Sequence, residues 1–189
     1  RCRFCNNDSL RNIYPDETRF VRRRSVASVL DELELGMRQY GFKTVLFEDD
    51  LFTGNIERTR EFCEGYRRRI GKPFVIETHP ATTAPEELEL LRDAGCIQIE
   101  IGVQTLNTEA RRRVGRYETN EQIESALRAL HRSGIRYFAD HIVGLDGDDV
   151  SWHEQALRLY NECRPSRINC FFISYYPGTR VAEDARSRG

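Results

Sequence analysis

The chain has no apolar run approaching the roughly 18 residues that a membrane-spanning helix requires. It also has no stretch with the pattern of a secretory signal. Neither sign of charge is in excess: 29 Lys and Arg against 30 Asp and Glu leave a net charge of −1. That balance gives no electrostatic case for a nucleic-acid or anionic membrane partner. Low-complexity linkers and short repeats are missing as well. Six cysteines in so long and regular a chain do not form a disulfide framework, so reduced thiols and a cytoplasmic location are expected. What remains, 39% hydrophobic and 31% charged residues, is the balance of one globular domain over 1–189.

Arginine triplets stand at 22–24, 67–69 and 111–113. They fall on or beside expected helices and read as solvated faces. Cys63, Cys96, Cys163 and Cys170 are scattered singly through expected helices and strands and read as small core residues.

The apolar pattern alternates between two periods. Ser25 caps a helical stripe of Val26, Val29, Leu30, Leu33, Met37 and Tyr40, which Gly41 closes. A second helix fits Ile56, Thr59, Phe62, Tyr66 and Ile70. Pro85 opens a third with Leu88 and Leu91 inward, stopped at Gly95. Thr119 and Gln122 make a capping box before Ile123, Ala126, Leu127 and Leu130, and Gly134 ends that helix. A further helix covers 152–162. Between the helices lie five short strand-like runs, over 44–47, 74–76, 97–103, 138–143 and 168–173. Strand and helix alternating in this way call for a parallel sheet. The fold class is therefore α/β, with an upstream strand before Cys2 making a sixth.

The carboxyl ends of the strands carry a recurring set of polar groups. In order they are Glu48-Asp49-Asp50, Glu77-Thr78-His79, Glu100 with Gln104, Asp140-His141, and Tyr175-Tyr176-Pro177-Gly178. In parallel barrels that rim is the reactive face. The same rim receives the loop Cys2-Arg3-Phe4-Cys5. A C-x-x-C pair alone is shared by iron–sulfur sites, zinc ribbons and thioredoxin-like sites. Zinc would need a second Cys or His pair. His79 and His141 are placed on the rim, near a substrate or in structural hydrogen bonds. Trp152 and His153 open a helix as packing and cap residues.

With these residues in view, the chain resembles the core domain of radical S-adenosylmethionine (SAM) enzymes over nearly its whole length. The resemblance implies a partial TIM barrel of (β/α)6 type, its first strand largely missing, cut from a longer multidomain protein. The family's cluster motif is C-x3-C-x2-C with an aromatic before the last cysteine. Cys2, Phe4 and Cys5 match its second half, and the first cysteine would lie upstream of Arg1. The implied cofactors are a [4Fe–4S] cluster held by three thiolates, with an open iron, and SAM. Reductive cleavage to a 5′-deoxyadenosyl radical is the implied activity.

Other positions carry over one at a time. Glu77 resembles an acid that contacts the methionine or ribose part of SAM. Gln104, in Gly102-Val103-Gln104-Thr105-Leu106-Asn107, resembles the glutamine that faces the ribose in the oxygen-independent coproporphyrinogen oxidase and elongator-type branches. Arg116, in Val114-Gly115-Arg116, would pair with the methionine carboxylate, as a guanidinium fork suits. Asp140 would meet the ribose hydroxyls and Gly144 the adenine. Asp146 stands where the family often has proline. Tyr175-Tyr176-Pro177-Gly178-Thr179 resembles the turn after the sixth strand. Phe47-Glu48-Asp49-Asp50-Leu51-Phe52, with Arg22-Arg23-Arg24-Ser25, resembles the cobalamin-binding branch, in which Asp49 or Asp50 would meet the methionine amine. That branch implies cobalamin supplied by an upstream domain. A reductant such as flavodoxin or ferredoxin is the implied partner, and the substrate stays open between methyltransfer and oxidative or cyclising chemistry. A zinc- or thiol-bearing binding module on the same scaffold is the alternative.

Overall fold

The computed structural model describes residues 2–13 and 22–188. Its elements follow in chain order. Helix α1 is Asn6–Ile13, α2 Val26–Tyr40, strand β1 Val45–Leu46 and α3 Ile56–Arg69. Strand β2 is Phe74–Thr78, followed by α4 Pro85–Asp93, β3 Cys96–Gln104, α5 Thr108–Arg113 and α6 Asn120–Ser133. Strand β4 is Arg136–Val143, α7 Val150–Cys163, β5 Arg167–Phe172 and α8 Arg180–Arg188.

The five strands pair in sequence order and all in parallel, giving a curled half-barrel with helices on its convex side. This is the partial α/β barrel that the alternation predicts. Local signals act as expected. Ser25 accepts the Ser28 N–H at 3.2 Å, and Gly41 closes α2 in the left-handed region at φ 60°. The Thr119–Gln122 capping box forms in both directions, at 3.2 and 2.9 Å.

Strand parity sends alternate residues to opposite faces. Ile76, Ile99, Ile101, Val103 and Ala139 point outward and are fully buried with Leu88, Leu91, Ile123, Leu127 and Leu130. Beside them an aromatic cluster of Phe47, Phe52, Phe62, Tyr66 and Phe74 fills the space under α3, with ring centroids 4.8 to 6.2 Å apart. The intervening strand residues face the concave side and include the polar Glu77, Glu100, Gln104 and Asp140.

Several expectations need correction. Strand β1 is only Val45–Leu46, two residues of the expected 44–47, although Phe47 N–H still donates to the Val75 carbonyl at 3.0 Å. Helices α1, α5 and α8 carry no long apolar stripe and escape a periodicity argument. Arg111 does not lie on a solvated face: it is fully buried. Its guanidinium donates to the Thr105 carbonyl at 2.6 Å, the Glu118 carbonyl at 3.2 Å and Asn120 Oδ1 at 2.7 Å, which staples α5 to the start of α6. Cys63, Cys96 and Cys163 are core residues, but Cys170 is exposed. It lies on β5, an end strand with a neighbour on one side only. Burial pushes the Cys63 and Cys96 thiols up to about 12, which leaves them unreactive.

Candidate functional site

The concave face opens into a cavity of about 600 Å³ at the carboxyl ends of the strands. Each wall comes from a different element. The loop before α1 contributes Cys2, Phe4 and Cys5, and the turn after β1 contributes Asp49, Asp50 and Leu51. Glu77 and His79 come from the end of β2, and Glu100, Gly102 and Gln104 from β3. Arg116 follows α5, and Asp140 comes from β4. Every residue assigned from the sequence borders this one cavity except Gly144. That glycine sits beyond β4 at φ 89°, where a Cβ would reach 3.4 Å from Ile173.

The cysteine loop is anchored. Arg3 N–H donates to the Val114 carbonyl at 2.8 Å, and Val181 N–H donates to the Arg3 carbonyl at 3.3 Å. Cys5 N–H closes the turn on the Cys2 carbonyl at 3.2 Å, and Asn7 N–H donates to Cys5 Sγ at 3.4 Å. Phe4 borders the cavity and also packs on Ala110, Val114, Ile142 and Leu145. Both thiols therefore share one wall, a donor pair that fits two corners of an iron–sulfur cluster. Among the described residues no group of three His, Cys, Asp or Glu side chains is arranged to hold a metal by itself.

The acidic turn opposite is equally fixed. Asn7 Nδ2 donates to Asp50 Oδ2 at 2.7 Å, tying the cysteine loop to the Asp49-Asp50 turn. Behind it the buried Glu87 carboxylate accepts the Gly54 N–H at 3.1 Å and the Thr59 hydroxyl at 2.8 Å. Thr53 meets Thr78 at 2.5 Å and Thr82 at 3.1 Å. Neither Glu87 nor Thr53 carried any signal in the sequence beyond its residue type.

Gln104 adopts a left-handed conformation, φ 69°, where the β3–β4 register slips between Gly102 and Gln104. Such a conformation in a residue with a side chain costs about 1 kcal/mol or more. It folds the side chain back over Gly102, where any Cβ would stand 2.5 Å from Gln104 Nε2.

Arg116 is buried and held on two sides. Its Nε donates to Glu118 Oε1 at 2.6 Å, and Nη2 donates to the Gly102 carbonyl at 2.5 Å. His79 Nε2 lies 3.5 Å from the other Glu118 oxygen. Burial works to raise the Glu118 carboxyl, but His79 and the Arg116 guanidinium outweigh it and hold the group down at about 2. The floor is acidic. Burial, then the charges of Glu100, Glu48 and Asp50, push Glu77 above the ordinary carboxylate range. Burial also pushes Asp140 up, to about 7, with Asn169 opposing and Glu100 and Glu77 adding to the rise.

Three sequence expectations change here. His141 leaves the rim because strand parity turns it away from Asp140. It is buried against Tyr160 Oη at 3.1 Å and His153 Nδ1 at 2.9 Å, and burial pulls it down to about 4. His153 is its partner, while the cap of α7 is Asp149. Tyr175 and Tyr176 are half-exposed and do not border the cavity. Arg22 and Arg23, expected on a solvated face, are exposed and also line the cavity. Glu100, Glu118 and Asn169 were not assigned. Glu100 was legible, since it shares the parity of Gly102 and Gln104.

A half-barrel with a thiol pair and polar strand ends around one cavity defines a class of cofactor enzyme, and the sequence match agrees. The chain matches the radical SAM superfamily over residues 1–160, and it belongs to that superfamily, whose enzymes use a [4Fe–4S] cluster and SAM. It is 26% identical over 179 residues to the anaerobic magnesium-protoporphyrin IX monomethyl ester cyclase of Rubrivivax gelatinosus, covering 93% of this chain and 31% of the cyclase. Among solved structures it is similar to TsrM from Kitasatospora setae, a radical SAM methyltransferase with cobalamin and a [4Fe–4S] cluster bound. That match has a TM-score of 0.76 and 19% identity, over 88% of this chain and 32% of TsrM. Escherichia coli HemN, a radical SAM coproporphyrinogen III oxidase, matches with TM-score 0.70 and 22% identity, over 97% of this chain and 43% of HemN. The chain thus spans about a third of the curated relative's length. No helix among the described residues is long and apolar enough to cross a membrane.

Proposed function

We propose that this chain is the catalytic core of a radical SAM enzyme in which Cys2 and Cys5 supply two of three cluster thiolates and the adjoining cavity binds SAM. The observation that carries it is convergence. Residues from the ends of β2, β3 and β4, from the turn after β1 and from the C-x-x-C loop border one cavity. When bound, the cluster and SAM supply reductive cleavage of the sulfonium to a 5′-deoxyadenosyl radical.

The chain's own residues bind and orient. Arg116, fixed by Glu118 and the Gly102 carbonyl, presents its guanidinium to the methionine carboxylate. Asp49 or Asp50 would accept from the methionine amine. Gln104 and Asp140 would meet the ribose, and Glu77 the methionine or ribose part. Phe4 would line the site beside the cysteine loop while packing on Val114 and Leu145. An external reductant of the flavodoxin or ferredoxin kind delivers the electron.

The Asp49-Asp50 turn, which borders the cavity, favours the cobalamin-dependent branch, with cobalamin held by a domain outside this chain.

Anaerobic reconstitution of the chain, extended upstream through the third cysteine, tests the proposal. A brown protein with thiolate-to-iron charge-transfer absorption is expected, bleached in Cys2→Ala and Cys5→Ala. A colourless protein that loads zinc instead would contradict it and favour the binding-module alternative.

A further inference from the structure

We infer that, with Arg116 binding the methionine carboxylate as proposed above, His79 is a further positioning residue that acts through Glu118 to hold the Arg116 guanidinium. The three residues come from two separate places in the chain. His79 follows β2, whereas Arg116 and Glu118 lie between α5 and α6. A contact between them ties two walls of the cavity together.

The Glu118 side chain is only 1% exposed, and its Oε1 accepts the Arg116 Nε–H at 2.6 Å. Its Oε2 is buried as well and receives no full hydrogen bond from any described residue. A buried carboxylate oxygen without a donor is costly, so a donor within reach is drawn to it. His79 Nε2 stands 3.5 Å from Oε2, about 0.3 Å beyond the usual limit for such a bond. The other ring nitrogen decides what His79 offers there. Ala81 N–H donates to Nδ1 at 3.1 Å, so Nδ1 carries the lone pair and the proton of the neutral imidazole sits on Nε2, toward Glu118. The His79 backbone is pinned as well, its carbonyl accepting the Thr82 and Thr83 hydroxyls at 3.0 and 2.9 Å. His79 thus makes two separable contacts: a cap on the turn Pro80–Thr82 through Nδ1, and a donor for Glu118 through Nε2.

Arg116 feels that donor through Glu118. With Nε on Glu118 and Nη2 on the Gly102 carbonyl, the guanidinium keeps one orientation, which leaves Nη1 and the second Nη2–H to fork onto a carboxylate. A Glu118 carboxylate held at one oxygen only is free to turn, and Arg116 loses its aim with it.

Two amide substitutions separate the contacts. His79→Asn places an acceptor near the Nδ1 position and keeps the cap while losing the donor to Glu118; His79→Gln places a donor near the Nε2 position and does the reverse. The first measurement needs no cofactor: hydrogen exchange of the Arg116 Nε–H, by nitrogen NMR of the arginine-labelled full-length protein, with the signal assigned through Arg116→Lys. Exchange should be several-fold faster in His79→Asn and as slow as the wild type in His79→Gln. Wild-type exchange in His79→Asn overturns the inference, as does acceleration confined to His79→Gln, which leaves His79 the cap alone. The second measurement is SAM binding by calorimetry to the cluster-loaded full-length protein. Binding should be about tenfold weaker in His79→Asn and close to the wild type in His79→Gln. In a Glu118→Gln background, chosen as near-isosteric so that the protein folds, His79→Asn should add nothing further. A tenfold loss that persists in that background puts His79 on the cofactor itself and contradicts the relay. If loss of the cap unfolds His79→Gln, His79→Asn in the two Glu118 backgrounds still decides. If the wild type binds no SAM, the Arg116 assignment fails, while the exchange measurement still decides whether His79 holds Arg116 through Glu118.

Discussion

Arg116 and Arg111 lie five positions apart and are both buried, yet they do different work. Arg111 spends its donors on backbone carbonyls and Asn120 and faces no cavity. Replacing it with alanine strands those acceptors and opens a void, so Arg111→Ala should cost about 3 kcal/mol in denaturant unfolding. Arg116 lines the cavity. Arg116→Ala should weaken SAM binding in titration by tenfold or more, about 1.4 kcal/mol at least, whereas the exposed Arg68→Ala on α3 should leave it unchanged. Equal binding by both variants would sink the Arg116 assignment. Asp140 supplies a pH test of the cofactor-free protein. Its carboxyl is raised in the fold, to about 7. That contribution is fully present below the unfolded carboxylate range and is lost as pH rises through the folded value. Stability should therefore decline between about pH 4 and pH 7. Asp140→Asn should flatten the decline in thermal unfolding while it weakens SAM binding. A slope unchanged in Asp140→Asn would assign the dependence to another group.

Strand β3 does more than any other element to shape the site. Its outward residues Ile99, Ile101 and Val103 are fully buried in the core, while Glu100, Gly102 and Gln104 face the cavity. The strand ends in the left-handed Gln104, laid back over Gly102. Gly102→Ala places a methyl group 2.5 Å from Gln104 Nε2 and must displace that side chain. The variant should stay folded by circular dichroism yet bind SAM roughly tenfold more weakly; unaltered affinity would remove Gln104 from the binding set. The strands were legible in the sequence because buried apolar residues alternate with inward polar ones. The long helices were legible through their stripes and caps, as at Ser25, Thr119 and Gly134. Helices α1, α5 and α8 were not, being short or lacking a wide apolar face. Parity also explains the individual outcomes. It put Glu100 inward with Gly102 and Gln104, and it turned His141 outward from its neighbour Asp140. Which arginine of a triplet points inward cannot be read from the triplet. Arg111 is buried because the α5–α6 turn offers it carbonyls, and Arg22 and Arg23 reach the cavity because of where the chain enters α2.

At the scale of the molecule, five parallel strands curl so that their carboxyl ends meet over one cavity, and the C-x-x-C loop closes its edge. The helices sit on the convex side, which leaves the concave side to polar chemistry. A thiol pair that is ambiguous as a motif thereby gains a defined neighbourhood: Asp50 through Asn7 on one side and Val114 through Arg3 on the other. Membership of the radical SAM superfamily implies the cofactors, and the half-barrel is the fold shared with TsrM and HemN. The chain spans about a third of its curated relative's length. The most direct test of the whole account is product analysis after anaerobic incubation of the cluster-loaded, upstream-extended protein with SAM and a strong reductant. The account predicts 5′-deoxyadenosine and methionine in equal amounts, lost in Cys2→Ala and Cys5→Ala and much reduced in Arg116→Ala. A protein that carries the cluster and binds SAM but releases no 5′-deoxyadenosine would contradict it.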